Sequence, residues 1–246
     1  MSKEVDGTKI KTKKTWKDYK QNFKKRLLNV KQHTIKRWKE NKKKIIIRYA
    51  VFLSIFLITY FLDQFTKFHF YPGEAAYEAY ENGNIVQVYQ GAFLGIRLVP
   101  HHGVTIIPFK TNAVIIIVQI ISVISILTFT ILIFYIDSFL WVSIIAMLVS
   151  GTAGNMTDRF LWNGYVKDIL FWTYFEKVFK RDLGTFNVAD VLIIVSIIIS
   201  VVYLVISIFV EYFKEEKQKI DNPNNQNDIN NNDQIVSTNN QHNTVS

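Results

Sequence analysis

The 246-residue sequence contains no cysteine. That excludes disulfides, a thiol nucleophile, a thiolate metal site and a thioether-linked lipid anchor on this chain. Histidine is scarce as well, and none of the five falls in a long apolar run. A Ser–His hydrolase acting at membrane depth therefore has no base, even though Ser150 precedes Gly151 in one such run. His101 and His102 are adjacent and would face opposite sides of a strand, with no third ligand nearby, so no metal site is expected. No internal repeat is evident. A cleavable signal peptide is not expected either, because a strongly basic region of more than 40 residues precedes the first apolar run and no small-residue cleavage site follows it.

What is present is unevenly distributed. Residues 1–48 hold 18 of the 29 Lys and Arg but only four of the 20 acids. Ten Asn lie between Asp221 and Ser246. Between these ends the apolar residues form runs too long for a soluble core. Four of them approach or exceed the ~20 residues that cross a bilayer: 45–63, 113–136, 139–156 and 188–213. The fold class expected is an all-α polytopic membrane protein, with four transmembrane helices and a small β element on the outer face. Three regions follow: a basic cytoplasmic arm (1–44), a four-span domain (45–213) and a disordered Asn-rich cytoplasmic tail (214–246).

The basic N-terminus argues for a cytoplasmic start, and four spans return the C-terminus to the same side. The turn between spans two and three reduces to Asp137–Ser138. Segments 64–112 and 158–187 then lie outside. In the arm, Trp16, Tyr19, Phe23, Leu27, Val30 and Trp38 recur at helical spacing among Lys and Arg. This reads as an amphipathic helix on an anionic leaflet, or as a solvated arm that only fixes topology. Positive charge beside a membrane span points to lipid as a partner, with no nucleic acid expected. In the first outer segment, Ile85–Tyr89 and Ala92–Val99 have the composition of short strands.

Charged side chains at membrane depth are costly and mark candidate sites. The first span ends with Asp63 and Lys67, four residues apart on one helix face. The third ends Gly154-Asn155-Met156-Thr157-Asp158-Arg159, with Asn155 and Asp158 sharing a face and Arg159 able to reach an acid across the bundle. Asp168 follows in an apolar stretch. The fourth span opens Asn187-Val188-Ala189-Asp190, where Asn187 and Asp190 also suit a helix cap. Two carboxylates in apolar surroundings on one membrane face suit aspartic proteolysis. Close carboxylates cannot both ionise easily and share a proton. The ionised one takes a proton from an attacking water, while the protonated one hydrogen-bonds the scissile carbonyl. No metal, thiol or cofactor is needed.

The segments Asp63-Gln64-x-Thr66-Lys67, Gly154-Asn155-x-x-Asp158-Arg159, Gly164-Tyr165-Val166-x-Asp168 and Phe186-Asn187-x-Ala189-Asp190 resemble, in order, the motifs of lipoprotein signal peptidase, the signal peptidase II family. The resemblance covers about residues 50–210. It implies a four-span aspartic endopeptidase of the cell membrane, with its site near the outer face. Its substrates would be diacylglyceryl-modified prolipoproteins, cut just before the lipidated Cys. It implies Asp168 and Asp190 as the catalytic pair, with Asn155, Arg159 and Asn187 contacting substrate or holding the pair, and Asp63, Lys67 and Asp158 supporting the site. Two departures stand out. The family's Asn-x-Gly-Ala motif has only Gln90-Gly91-Ala92-Phe93 or His101-His102-Gly103-Val104-Thr105 as counterparts, and Lys167 precedes Asp168 where an apolar residue is usual. The competing reading is a non-catalytic transport or binding protein that uses the outer carboxylates for ion contact.

Overall fold

A computed structural model of the chain describes residues 15–71, 78–80, 82–102 and 112–221. In chain order the elements are α1 (Trp16–Phe70), β1 (Val86–Gln90), β2 (Gly95–His102), α2 (Asn112–Leu132), α3 (Phe139–Leu161), β3 (Tyr165–Phe171), α4 (Thr173–Phe179), β4 (Thr185–Phe186) and α5 (Val188–Asp221). Helices α1, α2, α3 and α5 are each long and apolar enough to cross a bilayer. They coincide with the four apolar runs but, except for α2, continue beyond them into polar sequence. In α1 this extension carries Lys67, in α3 Asp158 and Arg159, and in α5 the residues from Lys214 to Asp221. The expected tail therefore begins as helix, and residues 222–246 lie outside the described part.

The chain divides into two compact units, residues 1–51 and 52–246. In the first, the apolar side chains of the arm, from Trp16 through Trp38, are exposed. Helical geometry breaks at Asn41 (φ −122°, ψ 17°), just before the apolar run begins.

In the second unit α3 is the buried helix. Val142, Ala146, Val149, Gly151, Ala153 and Gly154 pack inward, whereas α2 and α5 expose Ile116, Ile120, Ile124, Ile194, Ile198 and Val201. Apolar side chains turned outward suit lipid, where helices satisfy their own backbone groups. Small residues set the closest approach. A Cβ at Gly151 would lie 2.5 Å from the Ala189 carbonyl oxygen and 2.9 Å from Ile193 Cγ1, so α5 can lie directly on α3 only because Gly151 lacks one. Ser150 is fully buried and accepts a 2.8 Å hydrogen bond from Thr59, which ties α1 to α3. The turn between α2 and α3 is longer than Asp137–Ser138. The α2 helix ends at Leu132, and Phe134, Tyr135 and Ile136 donate to carbonyls three residues back, winding an apolar stretch into tight turns.

The β element is a four-stranded antiparallel sheet in the order β1-β2-β3-β4. The two strands read from sequence occur as β1 and β2, and β3 and β4 add to them. Leaving α3, the chain reverses through Asn163 (φ 49°) and Gly164 (φ 91°), while Trp162 N–H caps the Asp158 carbonyl at 2.8 Å. The left-handed conformation at 164 favours glycine. Between β3 and β4, Arg97 of β2 clamps the connection. Its Nη2 donates to Glu176 at 3.0 Å and Asp182 at 2.9 Å, and its guanidinium lies 4.5 Å from the Phe171 ring centroid. The Gly184 N–H, aided by Arg97, holds the Asp182 carboxyl below the usual range. The clamp fixes how β4 returns along β3, with Leu170 opposite Phe186. One step further along that register brings Asn187 alongside the strand segment that carries Asp168.

Candidate active site

Four elements converge on one polar centre: the end of α1, the end of α3, the middle of β3 and the start of α5. Lys67 is 1% exposed and lies between two carboxylates, 2.9 Å from Asp63 and 2.8 Å from Asp158. It also donates to Asn155 Oδ1 at 3.1 Å. A buried lysine left without such partners would cost several kcal/mol, about 3–5 for a broken buried pair. The pairing expected between Asp63 and Lys67 is therefore one half of a three-membered cluster.

Asp63 does more than pair. Its Oδ1 accepts the Ala189 N–H at 2.8 Å, one of the backbone donors that the first turn of α5 cannot satisfy internally. Its Oδ2 accepts from Gln64 Nε2 at 3.0 Å, and that amide also donates to the Gly154 carbonyl at 3.3 Å. A Cβ on Gly154 would collide with the Asp63 carboxylate, so the glycine makes room for the acid. In the sequence Gln64 has a place in a motif but no role, and the Ala189 N–H has neither. Gln64 carried a signal, as an amide at a span end beside Asp63. A backbone donor carries none.

The start of α5 is capped reciprocally. Asn187 Oδ1 accepts the Asp190 N–H at 3.0 Å, and Asp190 Oδ2 accepts the Asn187 N–H at 3.1 Å. This is a capping box built from Asn and Asp. The cap reading (Asn187 with Asp190) and the dyad reading (Asp168 with Asp190) thus meet at Asp190. The remaining atoms of the box reach outward. Asn187 Nδ2 donates to Asp168 Oδ1 at 2.8 Å and to Asn155 Oδ1 at 3.0 Å, and Asn155 Nδ2 donates to Asp190 Oδ1 at 2.8 Å. Asp168 and Asp190 are therefore both bonded to Asn187, and Asn155 joins them to Lys67. Arg159 donates weakly to the Asn155 carbonyl at 3.4 Å and lies within the electrostatic reach of Asp190, Asp168 and Asp158.

Asp168 and Asp190 have different surroundings. Asp168 is buried on β3, and burial holds its proton affinity well above the usual carboxylate range. The negative charge of Asp190 raises it further, while the Asn187 hydrogen bond works against both. Asp190 is only half-buried, with an N–H donor on each oxygen.

Lys167 and Asp168 are successive strand residues and project to opposite faces. The Lys167 N–H donates to Asp158 Oδ2 at 3.2 Å. Its ammonium lies 3.8 Å from the Trp162 ring centroid and 5.4 Å from that of Tyr71. Burial lowers its proton affinity, Asp158 opposes this and Lys67 adds to it. Of the two stretches compared with the family's Asn-x-Gly-Ala motif, Gln90-Gly91 lies at the β1–β2 hairpin, where the Gly91 N–H donates to the Leu94 carbonyl at 3.1 Å. His101 and His102 end β2 opposite Val166 and Tyr165. Residues 103–105 lie outside the described part.

Four spanning helices, a small antiparallel sheet and a buried carboxylate-rich centre define a polytopic membrane protein of enzyme type. The family model described as signal peptidase (SPase) II matches residues 55–207, and the chain belongs to that family. Membership makes it a protease of lipoprotein processing. Two solved structures are similar, both described as a bacterial membrane enzyme determined by the in meso method. The one at 1.9 Å resolution has a TM-score of 0.49 and 22% identity, covering 63% of this chain and 92% of its own. The one at 2.3 Å has a TM-score of 0.48 and 20% identity, covering 63% and 88%. Among curated proteins, none matches the chain.

Proposed function

We propose that the chain is an intramembrane aspartic endopeptidase that removes signal peptides from diacylglyceryl-modified prolipoproteins, cutting before the lipidated Cys. The observation that carries this reading is Asn187, whose side chain bonds Asp168 and whose backbone N–H bonds Asp190. A single residue thus holds two carboxylates in one place. Asp190 is the less buried of the two and accepts an N–H on each oxygen, so it is the member assigned to the attacking water. Asp168, buried, is suited to keep the shared proton. Asp190 takes a proton from water as its oxygen attacks the scissile carbonyl carbon, and Asp168 donates its hydrogen bond to the carbonyl oxygen. Collapse of the tetrahedral intermediate breaks the C–N bond, and a dyad proton passes to the leaving amine. Asn155 and Asn187 orient the pair, and the Asp63–Lys67–Asp158 cluster holds α1, α3 and β3 around it.

The test is cleavage of a synthetic peptide carrying diacylglyceryl-Cys by the purified protein. A single cut on the N-terminal side of the modified Cys is expected, with no cut in the unmodified peptide. Asp168→Asn and Asp190→Asn should each lower turnover by at least ~100-fold while the protein remains folded, because an amide can hydrogen-bond but cannot exchange the proton. Near-normal turnover in either variant, or cleavage elsewhere, would remove this assignment.

A further inference from the structure

A cleft of about 510 Å³ lies beside the face of β3 that bears Lys167. Its lining includes Tyr71, Glu78, Trp162, Tyr165 and Lys167. The ammonium rests on the Trp162 ring, and no carboxylate among the described residues closes an ion pair with it. A half-buried cation held against aromatic rings keeps its charge available to an incoming anion. The cleft lies at the ends of two spans. Tyr71 directly follows α1, and Leu161 and Trp162 close α3. Trp and Tyr at span ends occupy the headgroup level of a bilayer. Phe160 and Leu161 are strongly exposed there and offer an apolar surface beside the charge.

We infer that this cleft binds the phosphodiester of a membrane phospholipid, with the Lys167 ammonium on the phosphate and the acyl chains running along the exposed end of α3. Glu78 adds a carboxylate to the lining, which disfavours a dianion and suits a diester of one negative charge or a zwitterionic headgroup. The cleft is separate from the dyad, because Lys167 and Asp168 leave the strand on opposite faces.

The experiment uses the purified full chain in a non-ionic detergent. Tryptophan fluorescence is followed while dihexanoyl phosphatidylglycerol is added below its micelle concentration, with Trp162→Phe identifying the reporting ring. Saturable binding is expected. In Lys167→Gln it should be roughly tenfold weaker, since a charge-assisted hydrogen bond is lost, and Lys167→Arg should restore most of it. Both variants should fold, because only the backbone N–H of Lys167 bonds Asp158 and no ion pair is removed. Dihexanoylglycerol, which lacks phosphate, should not compete, and inorganic phosphate should compete only weakly. Unchanged binding in Lys167→Gln, or equal competition by dihexanoylglycerol, would overturn the site. Equal competition by inorganic phosphate would overturn the lipid as its occupant. Asp168→Asn should bind the phospholipid as the parent protein does, so failure of the cleft and failure of the protease reading are separately visible.

Discussion

Asp168 and Asp190 share a neighbour in Asn187 but not an environment, and the difference sets the pH dependence expected of the enzyme. Burial and the charge of Asp190 raise the proton affinity of Asp168. On the proposed mechanism, activity that needs this acid protonated falls on an alkaline limb displaced upward from ordinary carboxylate values. The Asn187 hydrogen bond favours the ionised form of Asp168. Removing it in Asn187→Ser, which keeps an oxygen for the helix cap, should therefore shift the alkaline limb to higher pH as well as reduce turnover. A pH–rate profile of the two proteins on the lipidated peptide measures this, and an unmoved limb would detach Asn187 from the titration. Asp63, Lys67, Asn155 and Asp158 were legible in the sequence because polar side chains in apolar runs stand out. The Ala189 N–H and the Gly154 clearance were not, because one is a backbone donor and the other is an absence of atoms.

The helices are bounded by hydrogen bonding, whereas the sequence reading bounds them by hydropathy. That is why α1 and α3 run past their apolar stretches, and the excess turns are the ones that carry Lys67, Asp158 and Arg159. Strand β3 was harder to foresee. Residues 165–171 continue an apolar region, and their extended state is imposed by pairing, with Val99 opposite Asp168. The basic arm of α1 is set off by the break at Asn41. Its Lys and Arg can each gain about 1 kcal/mol from anionic lipid, enough for anchoring. Every side chain of the polar centre comes from residues 63–190, so removal of residues 1–38 should leave turnover in detergent within about twofold. Binding to anionic vesicles should fall at the same time. Turnover and vesicle co-sedimentation of full-length and truncated protein at equal folded concentration test this, and a large loss of turnover would give the arm a part in the active fold.

For the molecule as a whole, the distribution of Lys and Arg predicts that both termini lie in the cytoplasm and the sheet outside. The absence of cysteine makes the measurement simple. A membrane-impermeant thiol reagent applied to intact cells should label Asn84→Cys and leave Asn230→Cys unlabelled until the membrane is opened, and the reverse pattern would invert the topology. The number of spans and the existence of a small sheet were legible because both follow from composition over many residues. The convergence of α1, α3, β3 and α5 was not, since it depends on the register of β4 on β3 and on the Arg97 clamp. That convergence also bears on biogenesis. Asn187 and Asp190 open the last span, so a nascent chain that has inserted only three spans holds Asp168 without its partner. On the proposed dyad, proteolytic competence is withheld until the span opened by Asn187 and Asp190 is in place, and a copy lacking it in the membrane is unable to cut its neighbours.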